Sequence, residues 1–151
     1  MNTSFSVAIK YGLFISGALI AYFLILRVFG LHENPWLRVL NGLAMAAGIY
    51  YAIKNFKEGA VDAFTYVDGF KTGLLTGFMA TIIFTGFMAV YMFHLDPEFT
   101  KMLLGKWLDN YGEGAGILVF IILIEGLAST VVLTLTFMQI FKKSHNISQN
   151  T

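Results

Sequence analysis

The sequence predicts an all-α membrane protein: four transmembrane helices in a bundle, plus a short amphipathic interfacial helix between the third and fourth. Three observations predict it. Hydrophobic residues make up 57% of the 151 positions and charged residues 13%, with a mean hydropathy of +0.70, where soluble domains carry about a quarter charged residues. A soluble fold of this length buries only about two thirds of its surface, so it has no interior for so many Phe, Leu and Ile. The apolar residues also fall in four long runs almost free of charge. The length predicts a single domain, residues 1–143, with a polar, disordered tail at 144–151.

The first span, about residues 6–29, carries no charge between Lys10 and Arg27. It is longer than a signal-peptide core and lacks a small-x-small cleavage site after it, so it reads as a retained helix. The second, about 36–53, follows Asn34-Pro35, a capping residue and a proline suited to the first helical position. A hydrocarbon core of about 30 Å needs about 20 helical residues, and this span meets that only barely. The third, about 69–93, is uncharged after Lys71; the fourth, about 114–141, holds a single charge, Glu125. The fourth exceeds the bilayer and should tilt or protrude.

Between the second and third spans, Phe56, Ala60, Val61, Phe64 and Tyr66 keep a charged connection near the membrane surface. Asp96-Pro97-Glu98 opens the interfacial helix, about 97–110, with a cap, a first-position proline and an acid at the positive dipole end. Phe99, Met102, Leu103, Trp107 and Tyr111 recur at three- and four-residue spacing, and Gly112 supplies a stop. This pattern suits a helix in the headgroup region, or equally a capped loop helix packed on the bundle.

Basic residues orient the chain. Lys10, Lys54, Lys57, Lys71, Lys142 and Lys143 fall on one side, and Arg27, Arg38, Lys101 and Lys106 on the other. The positive-inside rule therefore places both termini in the cytoplasm, with Trp36 and Trp107 at the outer interface.

Several classes of function are disfavoured. A net charge of +1 gives no general argument for a nucleic-acid partner. The absence of Cys excludes disulfides and thiolate chemistry. No cofactor motif and no nucleophile–base arrangement is visible, so no catalytic residue and no cofactor is expected. The glycines of Gly112-x-Gly114-x-Gly116 flank an acid and open a membrane helix, which suits a phosphate loop poorly. His94, Asp96 and Glu98 invite a metal reading, but at a helix end their side chains diverge and the two acids are accounted for by capping; no metal site is expected. His32-Glu33 lacks a third ligand.

Ala8-Ile9-Lys10-Tyr11-Gly12, Asn34-Pro35, Gly48 through Lys54, Gly69-Phe70-Lys71-Thr72-Gly73 and Tyr91 through Phe99 carry a resemblance. Together they resemble the domain-of-unknown-function 4199 family, small multi-pass membrane proteins typical of Bacteroidetes, over nearly the whole chain. The resemblance implies a bacterial inner-membrane location. It implies no activity and brings no active-site residues.

Two features carry the functional expectations. Gly69, Gly73, Gly77, Thr81, Thr85 and Ala89 form a ladder of small residues spaced by four, which lets two helix backbones approach closely. The ladder serves packing within the bundle or self-association, with Gly42-x-x-x-Ala46 and Gly126-x-x-x-Thr130-x-x-x-Thr134 as opposing grooves. Glu125 lies roughly 16 Å along its span from Gly114, near mid-bilayer, where an ionised carboxylate costs on the order of 3 kcal/mol. It must be protonated, paired or facing water. Thr81, Thr85, Asn41 and Tyr22 are its candidate partners, and no basic residue is expected at its depth.

Two functions follow. One is a non-enzymatic accessory or assembly subunit acting through small-residue faces, in a homo-oligomer or a larger membrane complex among membrane lipids. The alternative is a small oligomeric proton- or ion-coupled transporter or channel using Glu125. A lipid-modifying enzyme would need polar groups clustered at one interface, and only His94 and its neighbours offer them.

Overall fold

The computed structural model describes residues 3–31, 34–60, 64–107 and 114–141. His32, Glu33, Asp62, Asp109, Tyr111, Gly112, Glu113, Lys142, Lys143 and the polar tail lie outside them, as do the last residues expected for the interfacial helix. Among the described residues all regular structure is helical: α1 (Ser4–Val28), α2 (Val39–Ala60), α3 (Tyr66–Val90), α4 (Pro97–Trp107) and α5 (Ala115–Phe141).

The helix ends follow from local chemistry. Thr3 caps α1 by accepting from the Ser6 N–H at 3.2 Å. Gly30, at φ +68°, closes it: the Gly30 and Leu31 N–H groups donate to the Arg27 and Leu26 carbonyls, a reversal that glycine adopts without Cβ strain. Asn34 accepts from the Trp36 N–H at 3.0 Å and starts a single tight turn, Pro35–Arg38, that feeds into α2. α2 runs past the expected boundary at Ile53 to Ala60, because Lys54, Lys57 and Glu58 leave the apolar stretch while remaining good helix formers. At its far end α3 widens into one π-helical turn, Tyr91–Leu95, in which the Asp96 N–H reaches back to the Tyr91 carbonyl at 2.9 Å.

The long helices alternate in direction, and α3 is the hub, packing against α1, α2 and α5. Glycines set the close contacts. Gly48 of α2 lies beneath Ile15 of α1, and a Cβ on Gly12 would stand 3.0 Å from Met79 of α3. Along α3 and α5 the ladder is a zipper. A Cβ on Gly69 would meet Met138 at 3.0 Å, one on Gly73 would meet Thr134 at 2.6 Å, and one on Gly77 would meet the Thr130 hydroxyl at 2.5 Å. At the next rung the roles swap, and a Cβ on Gly126 would meet Thr81 at 2.5 Å. The groove expected on Gly126, Thr130 and Thr134 is therefore the one used, whereas Gly42 has open space where a Cβ would stand.

Two aromatic clusters close the ends. Tyr50 packs on Phe137 and Phe141 with ring centroids 5.5 and 5.3 Å apart, and Lys57 donates to the Phe141 carbonyl at 3.4 Å. At the other end Phe23 meets Tyr91 edge-on at 4.9 Å, with Phe99 of α4 beside both. α4 packs on the bundle through Phe99, Met102 and Leu103.

Three helical stretches, Ser4–Val28, Tyr66–Leu95 and Ala115–Phe141, are long and apolar enough to cross a membrane, which makes this a membrane protein by character. α2, at 22 residues, is shorter than these and less apolar.

Candidate functional site

α2 and α5 touch at the Tyr50–Phe137–Phe141 end and diverge toward the other. Between them opens a cavity of about 580 Å³, backed by α1 and α3 and reaching Phe99 and Leu103 of α4. Its wall is mostly apolar, with Leu19, Met45, Phe84, Met88, Leu118 and Ile122 prominent.

Glu125 and the four residues expected around it all reach this wall. Tyr22, Asn41, Thr81, Thr85 and Glu125 line the same cavity. Thr81 and Thr85 are more than nine-tenths buried, and neither hydroxyl has a hydrogen-bond partner; nor has Asn41 Oδ1. Other threonines in these helices, such as Thr76 and Thr130, donate to the carbonyl four residues back, at 2.7 and 2.8 Å. Three of the four buried polar atoms left without partners among the described residues thus belong to residues that line the cavity, Thr134 Oγ1 being the other. Their oxygens have almost no accessible surface, and an unpaired buried hydroxyl costs about 1–3 kcal/mol.

None of the expected partners bonds Glu125. Tyr22 donates instead to the Leu37 carbonyl at 3.0 Å, pinning α1 to the turn before α2. The expectation that no basic residue reaches Glu125 is overturned: Arg38 Nη2 lies 3.0 Å from Glu125 Oε2. The reason is the offset between the helices: Arg38, in the turn just before α2, stands level with Glu125, ten residues beyond the start of α5. The sequence marks Arg38 only as the cation bounding the shortest apolar run, which does not name its partner. The pair stands at the mouth of the cavity with side chains 52% and 61% exposed, beside exposed Val39 of α2 and Ile121 of α5, which also line it.

A second polar cluster, missed by sequence reasoning, ties the same end together. Arg27 Nη2 lies 3.0 Å from Asp96 Oδ2, its other nitrogen donates to the Tyr91 hydroxyl, and that hydroxyl donates to Asp96 at 3.1 Å. Asp96 also caps α4, accepting from the Phe99 N–H at 3.0 Å, as expected. Thr100 of α4 donates to the Met92 carbonyl at 3.0 Å, occupying an acceptor within the π turn. Among the described residues no three His, Cys, Asp or Glu side chains converge as metal ligands.

The family model described as "Protein of unknown function (DUF4199)" matches residues 10–115. The chain belongs to this family. The DUF4199 match holds Tyr22, Arg38, Asn41, Thr81 and Thr85 and stops at the first residue of α5. Glu125 and the Gly126–Thr130–Thr134 side of the zipper therefore lie beyond the matched stretch. No curated protein and no solved structure matches the chain.

Proposed function

We propose that this DUF4199 chain is a four-span protein of a bacterial inner membrane that binds a small amphipathic molecule in the α2–α5 cavity, without covalent chemistry. In this reading α2 is the fourth, shortest span, α4 lies at the outer headgroup level, and both termini are cytoplasmic. The cavity carries the proposal. Ligand sites are largely apolar spaces of about 300–1,000 Å³ with a few placed polar groups. This one, at about 580 Å³, brings Asn41, Thr81 and Thr85 to an apolar wall with an ion pair at its mouth. A simple cation site fits less well, because Arg38 already neutralises Glu125.

Gly42 supplies the test. It lines the cavity with open space beyond its Cα, so Gly42→Phe fills the space without a clash. We expect binding of a fluorescent amphiphile to the full-length protein in detergent to weaken about tenfold or more, a change of about 1.4 kcal/mol. Gly17→Phe, equally unhindered but away from the cavity, should bind as wild type. Equal binding by both variants refutes the reading.

An accessory role in a larger complex keeps one supporting observation. The ladder is spent inside the chain, but Gly17 and Gly86 have open space above them, where a neighbouring helix can approach closely. A heteromeric partner in a gentle-detergent pull-down, lost on Gly86→Leu, is the expected result for that role.

A further inference from the structure

Resting on the cavity reading, we infer that the occupant is a phospholipid with a phosphoethanolamine head, its phosphate on Arg38 and its ammonium on Glu125. Three observations lead there. The mouth presents a guanidinium and a carboxylate 3.0 Å apart, each more than half exposed, so both keep hydrogen-bonding capacity for an arriving group. A guanidinium donates in a planar fork that matches phosphate oxygens, and a carboxylate accepts from a primary ammonium. In phosphoethanolamine those two charges are separated by two carbons, which suits side chains already in contact.

The rims of the mouth are apolar. Val39 on one side and Ile121 on the other line the cavity and are exposed, so acyl chains would enter sideways from the bilayer rather than from water. Behind the mouth, the Thr81 and Thr85 hydroxyls are unpartnered and more than nine-tenths buried. Neither oxygen is at the cavity surface in this conformation, and a rotation about χ1 would be needed to offer either hydroxyl to an ester carbonyl of the glycerol backbone. An apolar wall beyond them accommodates the start of a chain.

The charge pattern discriminates between lipids. A phosphatidylglycerol head offers a phosphate to Arg38 but nothing cationic to Glu125, which repels its negative charge. A phosphatidylcholine head has a cation with no N–H to donate.

Displacement of a fluorescent amphiphile from the full-length protein in detergent, by ethanolamine, choline and glycerol phospholipids with identical short chains, tests this. Wild type should prefer the ethanolamine lipid about tenfold, the scale of one charge-assisted hydrogen bond. Glu125→Gln should abolish that preference by improving glycerol-lipid binding, and Arg38→Gln should weaken all three lipids. Equal displacement by the three lipids on wild type, while Gly42→Phe still blocks binding, overturns the head-group assignment and leaves the cavity reading standing. A preference that survives both Gln variants overturns it too. Binding indifferent to Gly42→Phe removes the cavity reading itself.

Discussion

At the scale of single residues, glycines and one ion pair decide the most. Gly77→Ala places a methyl 2.5 Å from the Thr130 hydroxyl, and overpacking of this kind costs about 1–3 kcal/mol. A lowered thermal midpoint in detergent is the expected result, partly recovered by adding Thr130→Ala. Gly86→Ala, with nothing near its Cα, should instead match or exceed wild type, since helical glycine is about 0.5–1 kcal/mol worse than alanine. For the pair, Arg38→Leu or Glu125→Leu alone strands an uncompensated charge. The double Leu variant should therefore be more stable than either single variant in the same melts, and additive losses would rule out coupling between them. Glu125 was legible in the sequence because it is the sole charge in a long apolar run. Arg38 was not legible as its partner: depth counted along each span separately carries no information on how far one helix is offset from another.

At the scale of elements, α4 depends on its attachment to the end of α3. Asp96 serves twice, as cap of α4 and as partner of Arg27. Asp96→Ala should therefore raise hydrogen exchange across α4 more than Arg27→Gln does, the lost cap alone being worth about 1 kcal/mol. Equal exchange in the two variants would mean the cap contributes nothing. The start of this helix, and of the turn leading into α2, was legible because Asp-Pro and Asn-Pro act locally. The π turn was not, since no composition marks it; it follows from tertiary bonds, Tyr91 to Arg27 and Thr100 to the Met92 carbonyl. The α2 boundary was misplaced because the last charge-free residue marks where a helix leaves an apolar medium, not where its backbone stops.

At the scale of the whole molecule, the all-helical, membrane-like character was legible from hydropathy alone, because lipid requires every backbone group to be bonded within its own helix. The cavity was not: it exists only where three packed helices and one diverging helix leave space. The lack of Cys makes the proposed topology directly measurable. In intact cells an impermeant maleimide should label Lys101→Cys, and should label Lys57→Cys only after permeabilisation; the reverse pattern inverts the orientation. One consequence of the zipper reaches across the bilayer. Bulk passes from α5 to α3 between the Gly77–Thr130 and Thr81–Gly126 rungs. A slip of α5 by one rung in one direction would bring Thr130 against Thr81, and in the other would leave Gly126 facing Gly77 across a void. Either slip would carry Glu125 roughly 6 Å from its counter-ion. The zipper thus works as a vernier: methyl-sized steps between α3 and α5 meter where the carboxylate comes to rest.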